Sequence, residues 1–275
     1  MKYINKSVEE ADLLCSVTQG QWGTIGPHFL NANEVIAKHA GVHHALVTFS
    51  VTAALETILR SKNIGFGDQV IVADWCNPAD PMTTAAVGAT PVFAKTNEQK
   101  QLSLSAMEPL VNQNTKAVIA DLPENAAELS AFCKEKGLYF IINLGDAWGV
   151  QVEGKVIHSY ADAAFVDMSQ DCALDLGLAG AIITDNEEDF NLFYAYHNCG
   201  RPLGDGCTLS FDEIIGGDLR IAEFQASMIP GRIAQLEEQI AKTGGKGVSE
   251  KSVCVNMAKA PFFASEYYKK LTGNV

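Results

Sequence analysis

The chain has 275 residues, 47% of them hydrophobic, and a formal charge of −13. This length and apolar content allow one large domain or two of ordinary size with a sizeable core, while the acidic balance argues against nucleic acid or an anionic membrane surface as partner and leaves small molecules and proteins. No apolar run approaches the roughly 18 residues of a membrane helix, and the opening MKYINKSVEEADLL is acidic and amphipathic rather than signal-like, so the cytoplasm is the expected compartment.

Helical and strand patterns alternate from about residue 30. NANEVIAKHAG suits a helix stopped by Gly41, HHALVTFS a short buried strand, and VTAALETILRSKNIG a helix with Gly65 beyond its end, followed by the strand DQVIVAD. The unit repeats as PMTTAAVGA helix, TPVFAK strand, SAMEPLVNQ helix, KAVIAD strand, ENAAELSAFCKEKG helix and YFIIN strand, with further strands at AAFVDM and GAIITD. Short β-branched strands separated by helices imply a mostly parallel, doubly wound sheet, in which ligands collect at the carboxyl ends of strands. After residue 186 the pattern becomes helical: EEDFNLFYAYHNCG, then DLRIAEFQASMIPGRIAQLEEQIAK, amphipathic with Ile221, Phe224, Met228 and Ile229 on one face. KTGGKGVSEK reads as a flexible linker. The expected organisation is residues 1–240 as the large domain and 241–275 as linker and tail, the tail packing back on the core or joining a neighbouring subunit.

Several of these stretches carry a family resemblance. GDQVIVADWCNPADPMTTAAVGATPVF lies without a gap on a segment typical of the DegT/StrS-type sugar aminotransferases. HHALVTFSVTAAL resembles the family segment ending in SGTAAL, NTKAVIAD the TKAIIPV strand, GDAWGVQVEGK the turn after the next strand, and RIAEFQAS the ELQA helix. The resemblance runs from about residue 20 to 240. It implies an α/β architecture, the large domain of the fold-type I pyridoxal phosphate-dependent transferases, three-layered with a mostly parallel sheet. It also implies a small C-terminal domain, here largely missing, and a dimer that acts on nucleotide-linked sugars. Glu223 and Gln225 fall on the helix that packs at the family's dimer interface, and His197 and Arg201 on a turn of positional role.

By the same resemblance the cofactor needs a Schiff-base lysine, a carboxylate on the pyridine nitrogen, a stacked aromatic ring and a phosphate cup. The lysine position is Cys172, and no lysine occurs between Lys155 and Lys242. The pyridine carboxylate falls on Asn143, with Asp146 close by as a substitute, and the stacking ring on Asn77, two residues after Trp75, which reads as core. The phosphate cup falls on Ser50 and Thr52, Asp167 and Asp218, and Gln170 is a further family-equivalent cofactor-binding position. Ser50 and Thr52 suit either an anion at a helix N-terminus or a plain cap. Carboxylates at Asp167 and Asp218 would repel a phosphate.

Three readings follow. In the first, the chain is a pyridoxal phosphate enzyme on sugars, an aminotransferase or dehydratase-like relative working without the usual lysine. In the second, it kept the fold, lost the cofactor, and binds or scaffolds as a homodimer or as a heterodimer with an intact paralogue. In the third, a small-molecule pocket remains with altered chemistry, built from Cys172, Asp167, Asp171 and Asp175, the last two being loop carboxylates expected in solvent. Convergence of Asp146, Asp167 and Asp218 would suit a cation. The seven cysteines and six histidines show no metal-ligand spacing, and cofactor-free binding is the expectation carried forward.

Overall fold

Parallel strands need a crossover of a dozen or more residues between neighbours, and the helices that separate the strands supply it. The computed structural model describes residues 25–204, 214–242, 244 and 253–268. Its central element is a seven-stranded sheet formed by β1 (His44–Thr48), β2 (Gln69–Ala73), β3 (Thr90–Ala94), β4 (Thr115–Asp121), β5 (Tyr139–Asn143), β6 (Ala163–Asp167) and β7 (Gly180–Thr184). Their spatial order is β1-β7-β6-β5-β4-β2-β3. The pairs β2–β3, β2–β4, β4–β5 and β5–β6 are parallel, whereas β7 runs against both β6 and β1. GAIITD is therefore the reversed strand of an otherwise parallel sheet. The chain passes from β6 to β7 through the loop 168–179 with no helix, so the strands can pair only antiparallel.

The helices are α1 (Pro27–Ala40), α2 (Val51–Ser61), α3 (Ala79–Ala86), α4 (Ala126–Lys136), α5 (Glu187–His197) and α6 (Ile229–Lys242). Helix α2 packs on β6 and β7 and against α3 and α5; α4 covers β5, and α1 meets β1 and α6. Among the described residues no helix is long and apolar enough to cross a membrane.

Gly180 sets where α2 begins. A Cβ there would lie 2.7 Å from the Ser50 carbonyl oxygen and 2.8 Å from the Val51 Cα. Only glycine lets the α2 N-terminus rest against the start of β7. Helix α1 begins at Gly26 and Pro27, and its first backbone donors are met from far along the chain by Glu223, which is buried. The Glu223 carboxylate accepts from the N–H of Gly26 at 2.9 Å, His28 at 3.1 Å and Phe29 at 2.9 Å. These are the orphan groups that every helix start leaves.

Two expected helices are shorter than their patterns. SAMEPLVNQ holds one α turn, Leu104–Met107, then a 3₁₀ turn, Glu108–Leu110, because Pro109 has no N–H with which to extend the ladder. DLRIAEFQASMIPGRIAQLEEQIAK is not continuous. Asp218 and Arg220 make isolated bridges, Glu223–Ala226 is a single turn, and α6 starts at Ile229 with Pro230 in its first turn. The proposed apolar face dissolves accordingly: Ile221 and Ile229 are buried and Phe224 is exposed.

Of the tail's two alternatives, the structure takes packing on the core. Val255–Asn256 pairs with Trp75–Cys76, the Met257 N–H donates to the Asp74 carbonyl at 2.9 Å, and Phe263 meets Phe93 edge-on at 5.2 Å. Phe263 and Tyr268 are buried. The N-terminal segment 1–24 and nearly all of the linker lie outside the described residues.

Candidate functional site

Parallel strands deliver their carboxyl ends to one edge of the sheet, and side chains just beyond β2, β4 and β5 meet there. Trp75 and Asn77 follow β2, Asp121 ends β4, and Asn143 to Asp146 end and follow β5; together they line a cavity of about 230 Å³. Lys100 and Gln101 close one side, and Val253 and Cys254 of the tail another. The Lys100 ammonium lies 4.3 Å from the centre of the Trp75 ring, a cation–π distance. Trp75 is half-buried. It is a wall of the cavity rather than the core residue expected, because its strand ends within two residues and turns the indole to the opening.

The base of the cavity is acidic. Asp80, in the first turn of α3, is fully buried. Asn143 Nδ2 donates to Asp80 Oδ1 at 2.7 Å, while Asn143 Oδ1 accepts from the Gly145 N–H at 2.8 Å. The Asp121 carboxylate accepts from the Asn77 N–H at 3.3 Å on each oxygen. One ligand atom from each of Asp80, Asp121 and Cys76 lies within 4.8 Å of the others. Asp80 Oδ2 has no hydrogen-bond partner among the described residues.

Desolvation governs the charge of this group. Burial, then the charge of Asp121, holds Asp80 well above the ordinary carboxyl range. Burial also raises Asp121 to about 6, against the Asn77 N–H, which donates to it and favours its charged form. The Cys76 thiol is pushed up by burial and by the neighbouring carboxylates. Both shifts favour the protonated carboxyl over the charged one. Neighbouring like charges oppose each other's ionisation.

The expected site residues divide into two groups. Asn77, Asn143 and Asp146 line the cavity; Ser50, Thr52, Asp167, Gln170 and Asp218 do not. Ser50 caps α2, its hydroxyl accepting from the Ala53 N–H at 3.1 Å and lying 3.1 Å from the Thr52 hydroxyl. Asp167 accepts from the Ser169 N–H at 2.9 Å, and Gln170 is exposed. Asp218 is tied to Arg220 at 2.7 Å, which holds its carboxyl below the usual range. Cys172 is a buried residue with Sγ 3.7 Å from the Ser169 hydroxyl. Asp175 was expected in solvent and is buried instead, because Arg232 of α6 reaches the loop and donates to the carbonyls of Leu174 and Asp175 at 2.9 and 3.1 Å.

Sequence reasoning missed Cys76, Asp80 and Asp121. One signal was available: Asp121 closes an otherwise apolar strand at the edge where ligands collect, and Asp80 follows one turn behind the neighbouring strand's end.

Residues 5–244 match the model of the DegT/DnrJ/EryC1/StrS aminotransferase family. The chain belongs to that family. Within it, the chain is 28% identical over 241 residues to 3-amino-5-hydroxybenzoate synthase of Amycolatopsis mediterranei (strain S699), covering 85% of this chain and 62% of that protein. It is also 28% identical over 241 residues to the L-glutamine:2-deoxy-scyllo-inosose aminotransferase of Streptomyces paromomycinus, covering 81% of this chain and 57% of the relative. The fold superposes on the crystal structure of 3-amino-5-hydroxybenzoic acid synthase with a TM-score of 0.78 at 26% identity, over 86% of this chain and 64% of that one. This DegT/DnrJ/EryC1/StrS chain thus spans less than two thirds of the length of the curated relatives it matches.

Proposed function

We propose that this chain does not run pyridoxal phosphate chemistry and uses its cavity to bind a small ligand, in a sugar-biosynthesis setting. One observation carries the reading. Asn143, where the resemblance implies a carboxylate for the pyridine nitrogen, has both ends of its amide committed, one to Asp80 and the other to Gly145. A ring nitrogen there would find a neutral group already engaged, and the electron sink that transamination needs would be lost. Cys172 offers no amine, and Asn77 no ring to stack. The residues present do not fit the cofactor.

Titrating the purified chain with pyridoxal phosphate, followed by borohydride trapping and mass spectrometry, tests this. The expected spectrum is that of free cofactor, with no lysine adduct and no rise in melting temperature, since a ligand that binds only the native state must raise it. An aldimine band that borohydride fixes on a lysine overturns the proposal. The second reading, an enzyme working without the usual lysine, draws on Lys100, the lysine that lines the cavity. An adduct on Lys100 is its signature.

The partner we propose is a second copy of this chain or an intact paralogue. Leu178 and Phe224 are exposed apolar side chains on segments tied together by Gln225, which donates to the Leu178 carbonyl at 3.1 Å. Large apolar side chains left in solvent are candidates for contact with a partner. Light scattering is expected to give a dimer mass, falling towards the monomer in Phe224→Glu; an unchanged mass in that variant would remove this surface from the interface.

A further inference from the structure

We infer that Cys76, Asp80 and Asp121 form a binding site for a divalent transition-metal cation of the zinc class at the base of the cavity, with one coordination position facing the opening. The inference goes beyond the proposed function and does not depend on it.

The donor set decides the class of ion. A sulfur and two carboxylates, each offering an atom within 4.8 Å of the others, can close around a single ion without rearranging the backbone. Calcium and magnesium take six or more oxygen ligands or retain several waters, and they do not choose sulfur. A thiolate with two carboxylates suits zinc, cobalt or iron(II). Cys76 and Asp80 are fully buried, whereas Asp121 reaches the cavity wall. A three-ligand site with its fourth position open to water is the arrangement that catalytic zinc sites share.

A second observation points to a ligand at this place. Asp80 Oδ2 is buried beside the cluster with no hydrogen-bond partner among the described residues, whereas its Oδ1 is fixed by Asn143 Nδ2 at 2.7 Å. The Asn77 N–H, shared between both oxygens, fixes the Asp121 carboxylate. Carboxylates held by hydrogen bonds, with an oxygen of each within reach of a common centre, are oriented as metal ligands are. Bound as carboxylates and thiolate, with their protons passed to solvent, the three groups place three negative ligands around a doubly positive ion, and the Lys100 ammonium lines the same cavity to balance the remainder.

Cobalt(II) makes the site visible, because a thiolate on cobalt absorbs in the near ultraviolet and a tetrahedral ion adds visible bands. The full chain, stripped with chelator, is titrated with cobalt chloride and then with zinc chloride. We expect a sulfur-to-cobalt band that saturates near one equivalent, disappears in Cys76→Ser and is displaced by zinc. Asn143→Ala, which loosens Asp80 without removing a ligand, should weaken cobalt binding about 10- to 100-fold. Asp121→Asn keeps the thiol and the cavity shape, and it should weaken binding further while circular dichroism stays that of the parent. Absence of the band in the parent overturns the inference. A band that survives Cys76→Ser, or cobalt bound without sulfur character as at a surface histidine pair, overturns it equally. If Cys76→Ser does not fold, undiminished affinity in Asp121→Asn is the overturning result. All readouts use protein free of pyridoxal phosphate, so a trapped lysine adduct would sink the proposed function and leave this inference standing.

Discussion

Glu223→Ala is expected to lower stability by about 3 kcal/mol, because it removes a buried carboxylate that accepts from three backbone N–H groups at the start of α1. Hydrogen bonds to a charged acceptor contribute more than neutral ones, and the anion also faces the positive end of the α1 dipole. Truncation leaves those donors buried beside a cavity with no acceptor. For a chain of this size the change corresponds to a fall of about 10 °C in melting temperature. Glu223→Gln should lose about half as much, since one side-chain oxygen remains to accept while the amide N–H₂ opposes a backbone donor.

The same carboxylate explains Gly26. A Cβ at that position would stand 2.6 Å from the Glu223 carboxylate, so Gly26→Ala displaces the cap. The two changes are therefore coupled. Gly26→Ala should be clearly destabilising in the parent and nearly neutral in Glu223→Ala, measured by urea unfolding of both singles and the double. Additive losses would show that Glu223 acts otherwise than as the cap of α1. Sequence resemblance points Glu223 at a subunit interface; the structure gives its carboxylate an intramolecular task, holding the first helix to the segment before α6.

The fold was legible because its signals are local and periodic. β-branched runs of about five residues and glycine stops recur from β1 to β7, and each stretch agrees with its neighbours. The reversed direction of β7 was less accessible, since direction depends on whether a helix intervenes between it and β6, and GAIITD looks the same either way. The candidate site was half legible. Asn77, Asn143 and Asp146 lie in one colinear frame with the family pattern, so the pattern places them at one cavity. Asp80 and Asp121 depart from that frame, and an acid in a strand end or a helix first turn resembles any solvated cap until burial is known. Asp175 failed in the opposite sense: a carboxylate in a loop reads as exposed, and only the reach of Arg232 from α6 draws that loop inward.

Asp80→Asn is expected to make the protein more stable above neutral pH, by a margin that widens as pH rises. The sign follows from the protons. In the unfolded chain both carboxyls ionise at about pH 4, whereas in the folded chain Asp80 stays well above that and Asp121 is raised to about 6. The folded state therefore binds more protons over this range, so the stabilisation they bring is complete below pH 4 and is lost as pH rises through 6 and beyond. An amide at position 80 fits the same place and accepts from Asn143 without requiring a proton. The variant should match the parent near pH 4 and pull ahead as pH increases.

His197 acts in the opposite direction. It is buried and stacked on Phe29 at 5.7 Å, and burial together with the charge of Arg220 pushes it down to about 3. Its contribution is present above pH 6.5 and lost on acidification, but it is common to both proteins and cancels in their difference. Urea unfolding of parent and variant at several pH values reads that difference; a variant less stable at pH 8, or a difference independent of pH, would refute the raised Asp80 carboxyl. Excess zinc should invert the order, since only the parent presents both carboxylates and the thiol to the ion and gains the stabilisation that native-state binding supplies. A buried acidic pair that costs stability at neutral pH, and that one substitution to amide would relieve, is the kind of residue a protein keeps for a ligand.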